Sequence, residues 1–217
     1  MLVKDYMTRH PLMAEPTMPI VEAQRYMGEN DIRHLPVVGD GKRLLGLVTR
    51  QRLLVEPGRL GSLDVWEITR YLSDLTVQEV MLKGQDVTTI SQDATIEEAA
   101  RLMVEKRVGC LLVVEDGVVI GIITETDLLA HLTNLLGWPF HGVRVTIRMP
   151  DRVGEFAKVT SAIASQGWGI YAAGGVPAPK RPGYWEGVFK VRGVPKDDLL
   201  AVLRKIPDQE IVDVREM

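Results

Sequence analysis

A single cysteine, Cys110, stands among the 217 residues, which excludes an internal disulfide and any cysteine-rich zinc site and fits a reducing compartment. Neither sign of charge dominates. The 26 Lys and Arg against 29 Asp and Glu leave a net charge of −3, which excludes a general binder of nucleic acid, because such binding rests on a basic face that neutralises phosphates. Long hydrophobic runs are missing too: the strongest, Val118 to Ile123, is far too short to span a bilayer. The leading M-L-V-K-D-Y-M has no apolar core of a signal peptide, so the expected location is the cytoplasm, with no membrane or nucleic-acid partner. Signatures of catalysis are also lacking. His10, His34, His131 and His141 show no metal-ligand spacing with one another or with Cys110, and there is no nucleophile elbow, phosphate-binding P-loop or dinucleotide fingerprint. No catalytic residue, metal site or enzymatic activity is expected. Within Gly109-Cys110-Leu111-Leu112, the cysteine reads as a small buried hydrophobe.

What is present is an ordinary globular composition, 46% hydrophobic and 25% charged, and an internal repeat. Ile20-Val21-Glu22-Ala23 matches Ile96-Glu97-Glu98-Ala99 at an offset of 76 residues, as do Met27 with Met103 and Val37-Val38 with Val113-Val114. Leu45-Gly46-Leu47-Val48-Thr49 matches Ile120-Gly121-Ile122-Ile123-Thr124 at an offset of 75, and Met7 aligns with Met81. The dropped residue falls in a connection, where Gly39-Asp40-Gly41-Lys42-Arg43 faces the shorter Glu115-Asp116-Gly117.

Each repeat has the pattern strand, helix, hairpin, helix. Ile96, Ala99, Ala100 and Met103 mark one helical face. Asp116-Gly117, and Asp40-Gly41 in the first unit, read as tight hairpin turns. Closing helices are expected from Thr124 to Leu132 and from Thr49 to Val55. One such unit buries only a thin core, and two face to face would share one. Between them, residues 56–61 read as a loop. Ser62 caps an expected amphipathic helix with Leu63, Trp66, Ile68, Tyr71, Leu72 and Leu75 on its apolar side.

The charge changes sign near Gly142: residues 1–141 hold 14 basic and 20 acidic side chains, and 142–217 hold 12 and 9. The pattern changes with it. Val143 to Arg148 alternates as a strand, and Glu155 to Gln166 reads as a helix with Phe156, Val159 and Ile163 inward. A strand that starts with Gly167 to Tyr171, a Pro-rich loop from Val176 to Gly183, a strand from Trp185 to Val191, a helix from Asp197 to Ile206 and a strand from Glu210 to Val214 follow. This is βαββαβ, the ferredoxin-like order. The expected fold class is α+β, with two repeats as a pseudo-two-fold pair followed by the βαββαβ part. The borders read 1–55, 56–75 as linker, 76–135 and 142–217.

The repeated landmarks resemble the CBS domain, a tandem pair being a Bateman module, and the C-terminal pattern resembles an ACT domain. The order CBS–CBS–ACT is similar to that of bacterial acetoin-utilisation accessory proteins. Gly121-Ile122-Ile123-Thr124-Glu125-Thr126-Asp127 carries the most informative motif. A glycine-bearing strand feeds a helix N-terminus, whose unpaired N–H groups favour a phosphate. The resemblance implies that Thr124 donates to that phosphate and Asp127 accepts from ribose, with strand residues such as Val87 or Leu111 lining the base. A second reading makes Thr124-x-x-Asp127 a capping box, and it stays open. The first repeat keeps Thr49 but has Arg52 at the Asp position, and arginine has no acceptor to offer a ribose. Arg50 and Arg52, with Arg33 and His34, would supply positive charge to a phosphate chain or lie solvated. In the C-terminal part, the resemblance implies an amino-acid site at Asp151 and Gly154. The other reading makes Asp151 a helix cap and Gly154 a tight-packing residue. Trp168, Tyr184 and Trp185 read as core or interface aromatics.

These expectations describe a non-catalytic ligand sensor. The candidate ligand is an adenine nucleotide (AMP, ADP, ATP or S-adenosylmethionine), with no required cofactor. The protein would be a homodimer or larger, act on a regulated enzyme and have a link to acetoin utilisation. The alternative is an oligomerisation scaffold with degenerate pockets.

Overall fold

In the computed structural model, which describes residues 1–53 and 74–217, the chain divides into two compact units, Met1–Leu129 and Ala130–Met217. The first repeat opens with a helical turn, α1 (Val3–Tyr6), and a short strand, β1 (Thr8–Arg9), before helix α2 (Ile20–Glu29) and the hairpin β2 (His34–Val38) and β3 (Leu44–Thr49). The second repeats the order: α3 (Val77–Val80), β4 (Leu82–Lys83), β5 (Thr89–Ile90), α4 (Ile96–Lys106), β6 (Cys110–Glu115), β7 (Val118–Thr124) and α5 (Glu125–Leu135). The helical spacing read in the sequence sets the buried faces. Ile20, Ala23 and Met27 on α2, and Ile96, Ala99 and Met103 on α4, are all buried.

The two repeats exchange their leading strands. β1 pairs antiparallel with β7 through Thr8–Ile122 and Arg9–Gly121. β4 pairs with β3 through Gly46–Lys83 and Leu47–Leu82. The parallel pairing of Ile90 with Val113 on β5 and β6 has its counterpart in Ala14 with Val37, all at the sequence offset of 76. Val3 and Met7 accordingly join the core around Ile96, Met103 and Leu111, and Val77 joins the core around Ile20, Met27 and Leu35. A further cluster takes Leu47 from one repeat and Cys110, Leu112 and Ile122 from the other. The shared core predicted from the thinness of one unit is therefore built by reciprocal exchange.

The tight turn at Asp116-Gly117 forms as expected, both residues having positive φ (49° and 81°). Asp40-Gly41 does not repeat it. The extra residue lets Asp40–Lys42 wind into a 3-10 turn, and the positive φ values move to Gly41 (66°) and Lys42 (60°). The linker helix expected from Ser62 lies outside the described residues except for its end, Asp74 and Leu75, of which Leu75 packs on the first repeat's core. Of the helix expected from Thr49 to Val55, residues 50–53 are a turn and the remainder lies outside the described residues.

The second unit contains β8 (Val143–Pro150), α6 (Glu155–Ser165), β9 (Gly169–Pro177), β10 (Tyr184–Arg192), α7 (Lys196–Leu203) and β11 (Glu210–Glu216). The sheet order β11-β8-β10-β9, antiparallel throughout, is the ferredoxin-like arrangement. Val143, Val145, Ile147 and Met149 on β8 turn to a core that holds Val159, Ile163 and Phe189. Trp168 packs against this core. Phe156 was expected inward, but it is 39% exposed and leans on Phe189 with ring centroids 4.7 Å apart. It stands in the first helical turn, where it walls an open cavity with Met149, Gly175 and Trp185 of the sheet.

Candidate functional site

The exchange of strands leaves two equivalent cavities in the first unit. One, of about 650 Å³, is lined by Thr124, Thr126 and Asp127 from the start of α5, by Ile122 of β7, and by Asp31 to His34 ahead of β2. The other, of about 600 Å³, is lined by Thr49, Arg50 and Gln51 after β3, by Leu47, and by Arg107 to Cys110 ahead of β6. The correspondence follows the repeat: Thr49 with Thr124, Leu47 with Ile122, Arg107 with Asp31, Thr88 with Leu12. Both volumes lie within the ordinary range for small-molecule sites.

Thr124 and Asp127 form a complete capping box. Asp127 Oδ2 accepts from the Thr124 backbone N–H and hydroxyl, each at 2.8 Å, and Thr124 Oγ1 accepts from the Asp127 N–H at 3.3 Å. The same box occurs at Thr95 and Glu98, which head α4 and line neither cavity. A cap alone therefore does not mark a ligand site. What singles out Thr124 and Asp127 is their place on a cavity wall, and Asp127 Oδ1 accepts no hydrogen bond from the described residues.

The repeat-one counterpart differs in chemistry. Arg52 donates its N–H to Thr49 Oγ1 at 3.4 Å, while its guanidinium reaches the Val80 carbonyl at 3.5 Å. Arg52 does not line the cavity, so of its two readings the one that charges the cleft is not met. The carbonyl at the end of α3 takes that charge. Arg33 and His34 line both cavities, and Arg50 lines the second. Arg33 donates to Thr126 Oγ1 at 3.0 Å, tying the approach to β2 to the first turn of α5. Burial, together with the neighbouring Arg33 charge, lowers the His34 pKa, and Glu125 opposes that shift.

Three other candidates have structural roles. Leu111 is fully buried and Val87 is 8% exposed, both within core clusters, so neither lines the base slot assigned to it. Ile122, Ile32 and Leu12 supply the apolar wall instead. Gly121 is a crossing point: a Cβ there would stand 2.5 Å from Met7 Sδ and 3.2 Å from the Thr8 carbonyl. Cys110 is buried, and burial with the Glu125 charge pushes its thiol pKa up to about 12. The sequence reading missed Asp31, Thr126 and Arg107; applying the 76-residue offset to the residues before each hairpin finds Asp31 and Arg107 together.

In the second unit, Asp151 does not cap α6. Gly154 holds the N-cap position, where its φ of 90° favours glycine, and a Cβ there would meet nothing within 4 Å. The tight-packing reading of Gly154 is overturned with it. Asp151 lines a cavity of about 330 Å³ with Arg152, Glu155, Phe156 and Trp185. The buried Glu155 carboxylate accepts from Lys158 (2.8 Å), Arg152 (2.9 Å) and Gln209 (3.2 Å). Its pKa is lowered, first by the Lys158 hydrogen bond and then by that of Gln209. Among the described residues, no group of three His, Cys, Asp or Glu side chains could hold a metal, and no helix is long and apolar enough to cross a membrane.

Comparison with known proteins agrees with the repeat. An acetoin utilization protein (AcuB) assigned in Vibrio cholerae superposes with a TM-score of 0.53 at 34% identity, covering 63% of this chain and 93% of that one. CBSX2 of Arabidopsis thaliana, solved with AMP, gives 0.51 at 25% identity, covering 61% and 96%. The CBS pair of protein MJ0100, solved with 5-methylthioadenosine and S-adenosyl-L-methionine, gives 0.50 at 25% identity, covering 61% and 96%. The chain spans about half the length of curated relatives such as a Methanocaldococcus jannaschii protein, MJ1225, of which it covers 46% at 31% identity. The family model of the CBS domain matches residues 3–57 and again 77–134, over half of the chain. With the exchanged strands and paired cavities already in place, the chain belongs to the CBS-domain family, whose domain it carries twice.

Proposed function

We propose that this protein is a non-catalytic sensor that binds an adenine nucleotide in the cavity of Thr124 and Asp127. The observation that carries the reading is the capping carboxylate on that cavity wall with one oxygen uncommitted. Asp127 Oδ1 can accept from ribose while Thr124 and the first turn of α5 face the phosphate. Relatives of similar architecture solved with AMP and with S-adenosyl-L-methionine support an adenosine ligand. Nucleotide binding would bias the CBS pair between two arrangements that hold the ligand unequally, and a regulated enzyme would read the change. The likeness to the Vibrio cholerae protein supports a link to acetoin utilisation.

The same proposal covers the borders 1–55, 76–135 and 142–217 and the assignment of the last part as an ACT domain. Its cavity at Asp151, walled by Phe156 and Trp185, supports an amino-acid ligand there. A homodimer or larger assembly is supported by Leu129, Leu132 and Leu135 on α5, each exposed by 48% or more. The uncharged nine-residue strand β9 at the sheet edge supports it as well.

The test is calorimetric titration with AMP, ADP, ATP and S-adenosylmethionine. Asp127→Ala removes hydrogen bonds to a charged acceptor worth roughly 1.5–3 kcal/mol each, partly replaced by water. Affinity should fall about 10- to 100-fold, with about 1 kcal/mol of stability lost from the cap. Equal affinity with and without Asp127 contradicts the site. No binding of any nucleotide at millimolar concentration favours the scaffold reading, in which Thr124 and Asp127 only cap α5.

A further inference from the structure

The two cavities have the same architecture and opposite charge. Asp31 on the wall of the first is answered by Arg107 in the second, at the same place before the hairpin. Asp127 is answered by Arg52, so the second cavity has no carboxylate at the position that Asp127 holds in the first. Glu125, the residue after Thr124, is answered by Arg50. The second cavity is therefore lined by Arg50, Arg107, Arg33 and His34, with Glu125 as its acidic group. Arg33 and His34 line both cavities. Arg33 is held on Thr126 at 3.0 Å, beside the turn where a phosphate would meet Thr124. A continuous basic wall thus leads from the first turn of α5 into the second cavity.

We propose that the Thr49 cavity is a phosphate site and not a second nucleoside site. It takes the outer phosphates of a nucleotide whose adenosine sits against Asp127. This assignment rests on the nucleotide reading above and sharpens it: the preferred ligand carries two or three phosphates. A monophosphate ends at Thr124 and Arg33. S-adenosylmethionine brings a sulfonium cation and a single carboxylate in place of a phosphate chain, and gains less from the arginines. Because Arg33, Arg50 and Arg107 are exposed, the gain is screened by solvent and salt.

The experiment is titration of the full chain with AMP, ATP and inorganic tripolyphosphate, repeated on Arg50→Gln/Arg107→Asn. Asparagine suits the left-handed backbone of Arg107 (φ 54°), and thermal melting verifies the fold of the variant. Arg50→Gln alone serves as the second variant if the pair does not fold. ATP should bind at least about tenfold more tightly than AMP, and the variant should bring the two together while leaving AMP unchanged. Equal affinities for ATP and AMP in the natural protein overturn the proposal, as does a preference that survives loss of both arginines. Tripolyphosphate binding that needs the two arginines, without binding of any nucleotide, supports the phosphate site and defeats the adenosine reading. Binding of neither defeats both.

Discussion

Asp127 closes the cap of α5 with Oδ2, and in the proposed site its Oδ1 would accept from the ligand. Two other side chains around the cavities give sharper tests of their surroundings. The Cys110 thiol, with its pKa raised to about 12 by burial and Glu125, should resist alkylation at pH 8 in the native protein and react fully in denaturant. Rapid native labelling contradicts its burial. His34 has its pKa lowered by burial and by Arg33, so the folded chain binds this proton less readily than the unfolded chain. Its contribution to stability is intact above the ordinary histidine pKa and is lost as pH falls below it. Relative to the natural protein, His34→Gln should lose less melting temperature between pH 7.5 and pH 5.5. A variant that follows the same pH curve removes His34 from this account. The residue types at Thr124, Asp127 and Arg52 were legible in the sequence because a repeat supplies its own control. The turning of Arg52 to the Val80 carbonyl was not, since nothing local signals a partner 28 residues away.

Among the elements, the hairpins and leading strands carry the pair. Gly46 and Gly121 occupy equivalent positions where the other repeat's strand crosses. At Gly46 a Cβ would stand 2.5 Å from the Leu82 carbonyl as well as from Met81 Sδ. At Gly121 the 2.5 Å neighbour is the flexible Met7 side chain. Gly46→Ala should therefore cost about 1–3 kcal/mol, and Gly121→Ala less. Equal melting temperatures for the two variants contradict the packing argument. The helices were legible because the 3.6-residue period survives in Ile96, Ala99 and Met103. Exchange of β1 and β4 was not legible, because two-residue strands carry no period and their pairing is decided by the other repeat. The Asp-Gly signal succeeded at residue 116 and failed at residue 40, where one added residue changes which positions need positive φ.

At the scale of the whole molecule, repetition with divergence is the central feature. Both repeats keep the threonine after the hairpin, and only the second keeps the carboxylate three residues later. The sequence shows that difference directly. The correspondence of Arg107 with Asp31 follows from the 76-residue offset, but the common wall of Arg33 and His34 emerges only when the chain brings the two hairpins together. Assembly is tested by light scattering at micromolar concentration, which should give at least twice the 24.2 kDa chain mass. A purely monomeric mass contradicts pairing through α5 and β9. The most direct measurement is a crystal structure of the protein grown with ADP. It should show one nucleotide per chain, with the ribose hydroxyls on Asp127 and the phosphates running from Thr124 past Arg33 toward Arg50 and Arg107. Adenosine seated against Thr49, or outside both cavities, would contradict the account.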